Sequence, residues 1–304
     1  TMPHQISIEY SSKHKNGQPG FLRLLYAQPP AVDIFSEAVA AAKASDVAVV
    51  CVGVPSKQQA ENKDRPRTDL PSWQDELILA VREANPKTVV VLFTEGGVDV
   101  RHWFDSVPAA VETFHPGSEG GNIIADVLYG DVNPSGKLTI TWPKANDDLP
   151  TSGPNPHYQN TVNEFGYRYF DASGIEPMFP FGYGLSYTTF DYKSLSVESS
   201  NNDRHPVTAT VTLQNTGKLA GKEVVQIYVS DVESSVEQAK KELAGFAKVE
   251  LTPGQSKTVE IPLHWTAFQY FDVASNTWKL EPGEFVIGVG GDSAQLKFKV
   301  GINL

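Results

Sequence analysis

Cysteine and long apolar runs are scarce in this chain of 304 residues. Cys51 is the only cysteine, which excludes intrachain disulfides and metal sites built from several cysteines. It lies in the apolar stretch 47–52, so we expect it to be a core residue. No run of about 18 apolar residues occurs, so no membrane-spanning helix is predicted. The first residues also lack a basic segment followed by an apolar one, so no signal peptide is predicted.

An excess of basic residues is absent as well. The chain has 25 lysine and arginine residues against 36 aspartate and glutamate residues, which gives a net charge of -11. Nucleic acids and anionic membranes are bound through clustered cations that neutralise phosphates. Neither is therefore an expected partner, and a neutral or small polar substrate fits better. The seven histidines show no metal-like spacing, so we predict no metal and no other cofactor.

Two hydrophobic patterns divide the sequence, whose length allows two domains of about 100–200 residues each. In the first part, apolar segments alternate with segments of helical periodicity. Each apolar segment is uniformly apolar, which is typical of parallel strands covered on both faces. These segments are residues 47–52, 88–93 and 109–114. Their order predicts a three-layer α/β/α sandwich with a mainly parallel sheet.

Helix signals lie around and between these strands. The first helix places three apolar residues on one face, namely Phe35, Val39 and Ala42. Asp33 is its candidate N-cap. A second helix opens with Ser72-Trp73-Gln74-Asp75, an acidic variant of the capping box. A third is predicted over residues 118–129, before Gly130.

From Phe190 onward the helical periodicity disappears. Short segments alternate polar and apolar residues, and turn pairs such as Pro253-Gly254 and Pro282-Gly283 separate them. The clearest segments are residues 207–213, 224–229, 256–263 and 285–289. They predict an antiparallel β-sandwich of the fibronectin type III or immunoglobulin type. The charges of this half are scattered, and its sequence shows no chemistry.

The loops at the carboxyl ends of the parallel strands are the expected place for a ligand. They are residues 54–70, 94–99 and 115–121. The first loop mixes the carboxylates of Glu61 and Asp64 with several cations, and cations near a carboxylate lower its pKa. The residues alone therefore leave two interpretations open, a catalytic loop and a solvated mixed-charge loop.

An aromatic and glycine-rich segment joins the two halves of the sequence. It reads FPFGYGLSYTTF at residues 179–190, and FGYRYF at 165–170 precedes it. Both segments resemble the domain-joining signature of glycoside hydrolase family 3. HPGSEGG at 115–121 and DVNPSGKL at 131–138 are similar to further motifs of that family. As local structure, we expect the joining segment to be a buried aromatic hinge.

The resemblance implies four parts. They are terminal strands of an inserted protective-antigen-type β-sandwich (1–30), an α/β sandwich domain (31–165), a connecting segment (166–189) and a fibronectin III-like domain (190–304). In this family the nucleophilic aspartate comes from a barrel domain ahead of this region, and nothing in the sequence resembles that barrel. We therefore expect the carboxyl-terminal portion of a larger β-glycosidase, with the amino-terminal barrel as its missing partner.

The resemblance also assigns a role within the first loop. ENKDRP at residues 61–66 is followed by DLP and QDELI, as in many family members. Glu61 then falls at the general acid/base position, although Asn62 stands where the family has glycine. Asp64 and Arg65 are expected to organise the loop by pairing. If Glu61 is not the acid, Glu95 and Glu119 are the next candidates.

The expected function is retaining hydrolysis of terminal β-linked glucose from oligosaccharides or glucosides, without a cofactor. One carboxylate cannot act as both nucleophile and acid/base, so this chain alone is expected to be inactive. A β-xylosidase is the alternative within the class, and a non-catalytic carbohydrate-binding or scaffold module is the alternative outside it. The resemblance favours a secreted or periplasmic protein, while the residues themselves leave the compartment open.

Overall fold

The structure is a computed structural model that describes residues 34–55, 58, 65, 67–71, 73–150, 163, 165–200 and 202–304. The predicted amino-terminal strands and the candidate cap Asp33 lie outside this range, as do Glu61 and Asp64. Within the described residues, no helix is long and apolar enough to cross a membrane.

The first half of the described chain is an α/β unit. Its elements are α1 (Ile34–Lys43), β1 (Ala48–Gly53), α2 (Gln74–Ala84), β2 (Thr88–Phe93), β3 (Ala109–Glu112) and α3 (Gly120–Tyr129). The three strands pair in parallel in the order β1-β2-β3. Val50 of β1 and Val90 of β2 pack in one core with Ile78 of α2. The α/β class and the parallel sheet are confirmed.

The uniform burial predicted for the strands is correct for β2 and wrong for β1 and β3. In β3, Ala109 and Ala110 are exposed. The central strand β2 is buried or half-buried throughout, whereas β1 alternates. Val50 and Val52 face the core, but Val49 is 47% exposed and Cys51 is exposed. The expectation that Cys51 is a core residue is therefore wrong. An apolar strand at a sheet edge can have one bare face, and composition does not distinguish it from a covered one.

The second half is an antiparallel β-sandwich, as predicted. Its strands are β4 (Phe190–Ser199), β5 (Val207–Asn215), β6 (Gly221–Asp231), β7 (Glu242–Leu251), β8 (Ser256–Leu263), β9 (Tyr270–Asp272), β10 (Thr277–Lys279), β11 (Glu284–Gly290) and β12 (Leu296–Asn303). One sheet has the order β12-β11-β6-β7 and the other the order β4-β5-β8, while β9 and β10 form a separate hairpin. Alternate residues of β5, from Val207 to Leu213, are fully buried between the sheets.

The joining segment connects the two halves through backbone and side-chain contacts. It follows the short helix α4 (Gly166–Ser173), and Phe179 pairs with Trp142 in an antiparallel bridge. Phe179 and Phe181 are half-buried, whereas Leu185 is 72% exposed. The predicted buried hinge is therefore correct for its first residues and wrong for Leu185. Short 3₁₀ helices at Phe104–Ser106, Asn146–Asp148 and Trp265–Phe268 complete the described elements.

Gly182 occupies the tightest position of this segment. Its φ is +83°, and a Cβ there would lie 2.1 Å from Gln226 Oε1. Gln226 has no freedom to withdraw, because its Nε2 donates to Gly182 O at 3.1 Å and its Oε1 accepts from Tyr228 Oη at 2.7 Å. Both the backbone conformation and the close approach require glycine here.

We expect Gly182→Ala to destabilise the protein by about 3 kcal/mol or more, since left-handed strain and overpacking add. Gly174→Ala is the matched control, because Gly174 has φ +67° and nothing within 4 Å of its Cβ position. The control should lose only the conformational part, about 1–2 kcal/mol. Urea unfolding of both variants measures the difference, and equal losses would contradict the steric part of the explanation.

Candidate functional site at the carboxyl edge of the parallel sheet

Loops from the three parallel strands meet at one edge of the sheet, because neighbouring parallel strands end on the same side. His115, after β3, places its Nε2 3.0 Å from Oε1 of Glu95, after β2. Both side chains are substantially exposed, with 67% and 44% of their surface accessible. The predicted convergence of the second and third loops is therefore observed.

The start of α2 is tied to the end of β1. Gly53 N donates to Gln74 Oε1 at 2.8 Å, and Gln74 Nε2 donates to Gly53 O at 2.9 Å. Trp73 occupies the N-cap position, and its own side chain makes no capping hydrogen bond. Ser72 lies outside the described residues, so the capping box predicted there stays a prediction. Within the described residues, the Gln74 contact with Gly53 ties the helix start to the strand.

Arg65 links the first loop to the second. Its Nη2 donates to Gly97 O at 2.6 Å across the sheet edge. Burial lowers the pKa of the guanidinium, while the nearby carboxylates of Glu95 and Asp69 act in the opposite direction. A partly desolvated arginine that binds a backbone carbonyl restrains both loops. The pairing of Arg65 with Asp64 stays a prediction, since Asp64 lies outside the described residues.

The carboxyl end of the first loop is held by a second set of contacts. Asn146 Oδ1 accepts hydrogen bonds from Thr68 N at 2.7 Å and from Thr68 Oγ1 at 3.0 Å. Asp99 N donates to Thr68 O at 3.0 Å, and Asp69 forms an ion pair with Arg67. The described part of this loop therefore rests on the loop after β2 and on the segment near Asn146.

Glu112, at the end of β3, is a partly buried carboxyl group that sequence analysis missed. Burial raises its pKa to about 7, although hydrogen bonds from Phe114 N–H and Thr94 act in the opposite direction. Phe114 N donates to Glu112 Oε1 at 2.6 Å, and Phe114 has a φ of +50°, which is uncommon for an aromatic residue. The available signal was a glutamate in a strand segment described as uniformly apolar.

The other predicted site residues lie either outside the described residues or on the protein surface. Glu61 and Asp64 lie outside the described residues. Glu119 is exposed at the N-cap of α3 and accepts a hydrogen bond from Asn122 Nδ2 at 2.7 Å. Among the residues that the structure describes, no group of histidine, cysteine, aspartate and glutamate side chains could hold a metal ion. The described edge of the sheet therefore offers carboxylates, an arginine and a histidine.

Family models match both halves of the chain. The model described as the glycosyl hydrolase family 3 C-terminal domain matches residues 5–187. The model described as a fibronectin type III-like domain matches residues 223–293.

Individual relatives and solved structures agree with these models. A thermostable beta-glucosidase B from Acetivibrio thermocellus is 42% identical over 90% of this chain and 37% of the relative. Beta-glucosidase B from Emericella nidulans is 40% identical over 90% of this chain and 34% of its own length. The crystal structure of DesR, a beta-glucosidase from Streptomyces venezuelae in complex with D-glucose, superposes with a TM-score of 0.81 at 38% identity, over 89% of this chain and 35% of that one. The chain thus spans about a third of the length of these relatives.

Proposed function

This chain belongs to glycoside hydrolase family 3, and from that membership we propose that it is the carboxyl-terminal part of a retaining β-glucosidase. Its substrates would be oligosaccharides or glucosides that end in β-linked glucose. Relatives named as beta-glucosidases support glucose over xylose and a catalytic role over a purely binding one. The observation that carries the proposal is the sheet edge, where Arg65 fastens the loop that contains Glu61 to the loop after β2.

Glu61 is the proposed general acid/base. It would protonate the glycosidic oxygen as that oxygen leaves, and it would then remove a proton from the water that attacks the glycosyl-enzyme. The nucleophile of a retaining enzyme is a second carboxylate about 5 Å away. We assign that group to an amino-terminal barrel domain, so the complete site would lie between the barrel and this sheet edge.

The domain boundaries follow the same proposal. Residues 31–165 form the α/β sandwich that carries the acid/base loop, 166–189 connect it to the next domain, and 190–304 form the fibronectin III-like domain. Residues 1–30 are assigned to the end of an inserted β-sandwich. The observed change from parallel to antiparallel sheets on either side of residues 166–189 supports the last two boundaries.

The proposal is tested with an aryl β-glucoside and the matching β-xyloside. The full-length protein should prefer the glucoside and release β-glucose first, which NMR spectroscopy detects before the anomers equilibrate. The 304-residue chain alone should show no turnover above background, because removing a nucleophile costs several orders of magnitude. Release of α-glucose first, preference for the xyloside, or turnover by the purified chain alone would each contradict part of the proposal.

A further inference from the structure

Thr94 Oγ1 makes two short contacts with oxygen atoms, and its hydroxyl group has only one proton to place in them. Thr94 Oγ1 lies 2.7 Å from Gly96 O and 2.9 Å from Glu112 Oε2. A carbonyl oxygen can only accept a hydrogen bond, and an ionised carboxylate can only accept as well. The threonine hydroxyl has one proton for these two neighbours. With an ionised Glu112, one of the two short oxygen–oxygen contacts would therefore contain no hydrogen.

A protonated Glu112 resolves this count. Its Oε2–H donates to Thr94 Oγ1, and the Thr94 hydroxyl donates in turn to Gly96 O. Its other oxygen, Oε1, remains an acceptor for Phe114 N at 2.6 Å. The backbone N–H of Thr94 also faces this carboxyl group, whose oxygens can accept from it in either protonation state. Only the protonated form places a hydrogen in both short contacts of Thr94 Oγ1, as partly buried polar groups require.

We propose that Glu112 is a positioning residue that works as a neutral carboxylic acid and holds the loop after β2 through Thr94. The same loop presents Gly97 O to Arg65, whose own loop contains Glu61. The hydrogen-bond chain from Glu112 to Gly96 would thus fix the surface on which the acid/base loop rests. That last consequence depends on the proposed function, whereas the protonation state of Glu112 does not.

The surroundings of Glu112 favour the neutral form. Burial is the largest influence and raises its pKa to about 7. Three charged side chains of the adjoining loops lie at this end of the sheet. His115 lowers the pKa of Glu112. It also pairs with Glu95, whose negative charge offsets part of its effect, and Arg65 donates to Gly97 O.

Ionisation of Glu112 should therefore loosen the loop. The folded-state pKa lies above the ordinary value of 4.5, so the stabilisation is complete below about 4.5 and is lost as the pH rises to about 7. Hydrogen exchange of a peptide covering residues 94–99 in the full-length protein measures this locally. After correction for intrinsic exchange, opening should increase by up to about a hundredfold between pH 5 and pH 8.

Two substitutions of Glu112 separate a neutral acid from a carboxylate. In Glu112→Gln, the amide can donate to Thr94 and accept from Phe114, so the loop should stay protected and the pH dependence should vanish. Glu112→Ala should leave the loop open at every pH. It should lower kcat by about tenfold or more and change KM by less. Glu119→Gln is the control, because its exposed side chain binds Asn122 on α3 and its replacement should leave the pH dependence intact.

Infrared spectroscopy supplies a readout that needs no substrate. The difference spectrum between the parent protein and Glu112→Gln should contain a protonated carboxylic acid band that persists above about pH 6, where ordinary carboxyl groups are ionised, and fades as the pH rises through about 7. Glu61→Gln should leave both this band and the loop protection unchanged, so a failure of the proposed catalysis would not be confused with a failure here. Absence of that band from the difference spectrum at about pH 6, or loop opening in Glu112→Gln equal to that in Glu112→Ala, would overturn the proposal.

Discussion

Replacement of Glu61 by glutamine is expected to abolish hydrolysis of cellobiose by the full-length protein. The leaving sugar oxygen needs a proton in the transition state, and the amide of glutamine is not acidic enough to transfer one. General acid catalysis contributes about 10²- to 10⁴-fold, so kcat/KM for cellobiose should fall by about that factor. Initial rates of glucose release measure the loss.

Comparing substrates with different leaving groups distinguishes an acid/base defect from a general loss of structure. The nitrophenolate of a nitrophenyl glucoside departs without a proton. In Glu61→Gln, the rate of the first step should therefore fall less for this substrate than for cellobiose. The second step still lacks a base to activate water, and added azide should bypass it by attacking the glycosyl-enzyme directly. Turnover should then recover, and its product should be a β-glucosyl azide if configuration is retained.

Two neighbouring carboxylates provide matched controls for this experiment. Glu95 pairs with His115, and Glu119 lies exposed at the start of α3. Glu95→Gln and Glu119→Gln should show no azide rescue and no dependence on the leaving group. If Glu61→Gln instead cleaves cellobiose at the parental rate, the acid is another carboxylate of these loops. The variant that loses cellobiose hydrolysis and is rescued by azide would then identify it.

The fold could be predicted well where periodicity and burial agree. Alternation in residues 207–213 predicted β5, whose apolar side chains fill the space between two sheets. Prediction was wrong where an apolar side chain has no partner, as at Cys51, because composition records hydrophobicity and not the number of covered faces. The strand predicted to end at residue 114 ends at Glu112, since the left-handed backbone of Phe114 ends the strand.

The candidate site could be predicted only in outline. Parallel strand order predicted that the loops meet at one edge, and Glu95 and His115 of two of these loops lie in contact there. It says nothing about which backbone groups a side chain reaches, so the contacts of Gln74 with Gly53 and of Arg65 with Gly97 were not foreseen. Glu112 was missed because its importance depends on burial and on a shared proton, neither of which a sequence pattern records.

A buried ion pair joins the two halves of the chain and should have the largest effect on stability. Lys137 Nζ lies 3.3 Å from Glu223 Oε1 of β6 and donates to Gly184 O of the joining segment at 2.9 Å. Only 14% of the lysine side chain and 9% of the glutamate side chain are exposed. Tyr192 Oη of β4 also donates to Glu223 Oε1, at 3.1 Å. The contact therefore connects the α/β unit, the joining segment and both sheets of the sandwich.

Burial already raises the pKa of Glu223, although Lys137 and Tyr192 act to lower it. Lys137→Met removes the cation and leaves a buried carboxylate with Tyr192 as its remaining donor. Breaking one partner of a buried pair costs about 3–5 kcal/mol, so we expect a loss of that size near neutral pH. Urea unfolding followed by tryptophan fluorescence measures it. Lys144→Met is the control, since its partner Glu176 is 84% exposed and little stability should be lost.

The pH dependence of the loss and a double variant show whether the unpaired buried charge of Glu223 lowers the free energy of unfolding. Without Lys137 the folded-state pKa of Glu223 should rise further above its unfolded value, so the loss should shrink as the pH falls and Glu223 takes up a proton. Lys137→Met combined with Glu223→Gln should recover much of the stability at neutral pH, because no buried charge remains. A loss that is independent of pH and unrelieved in the double variant would instead assign the effect to the packing of the lysine side chain and its hydrogen bond to Gly184.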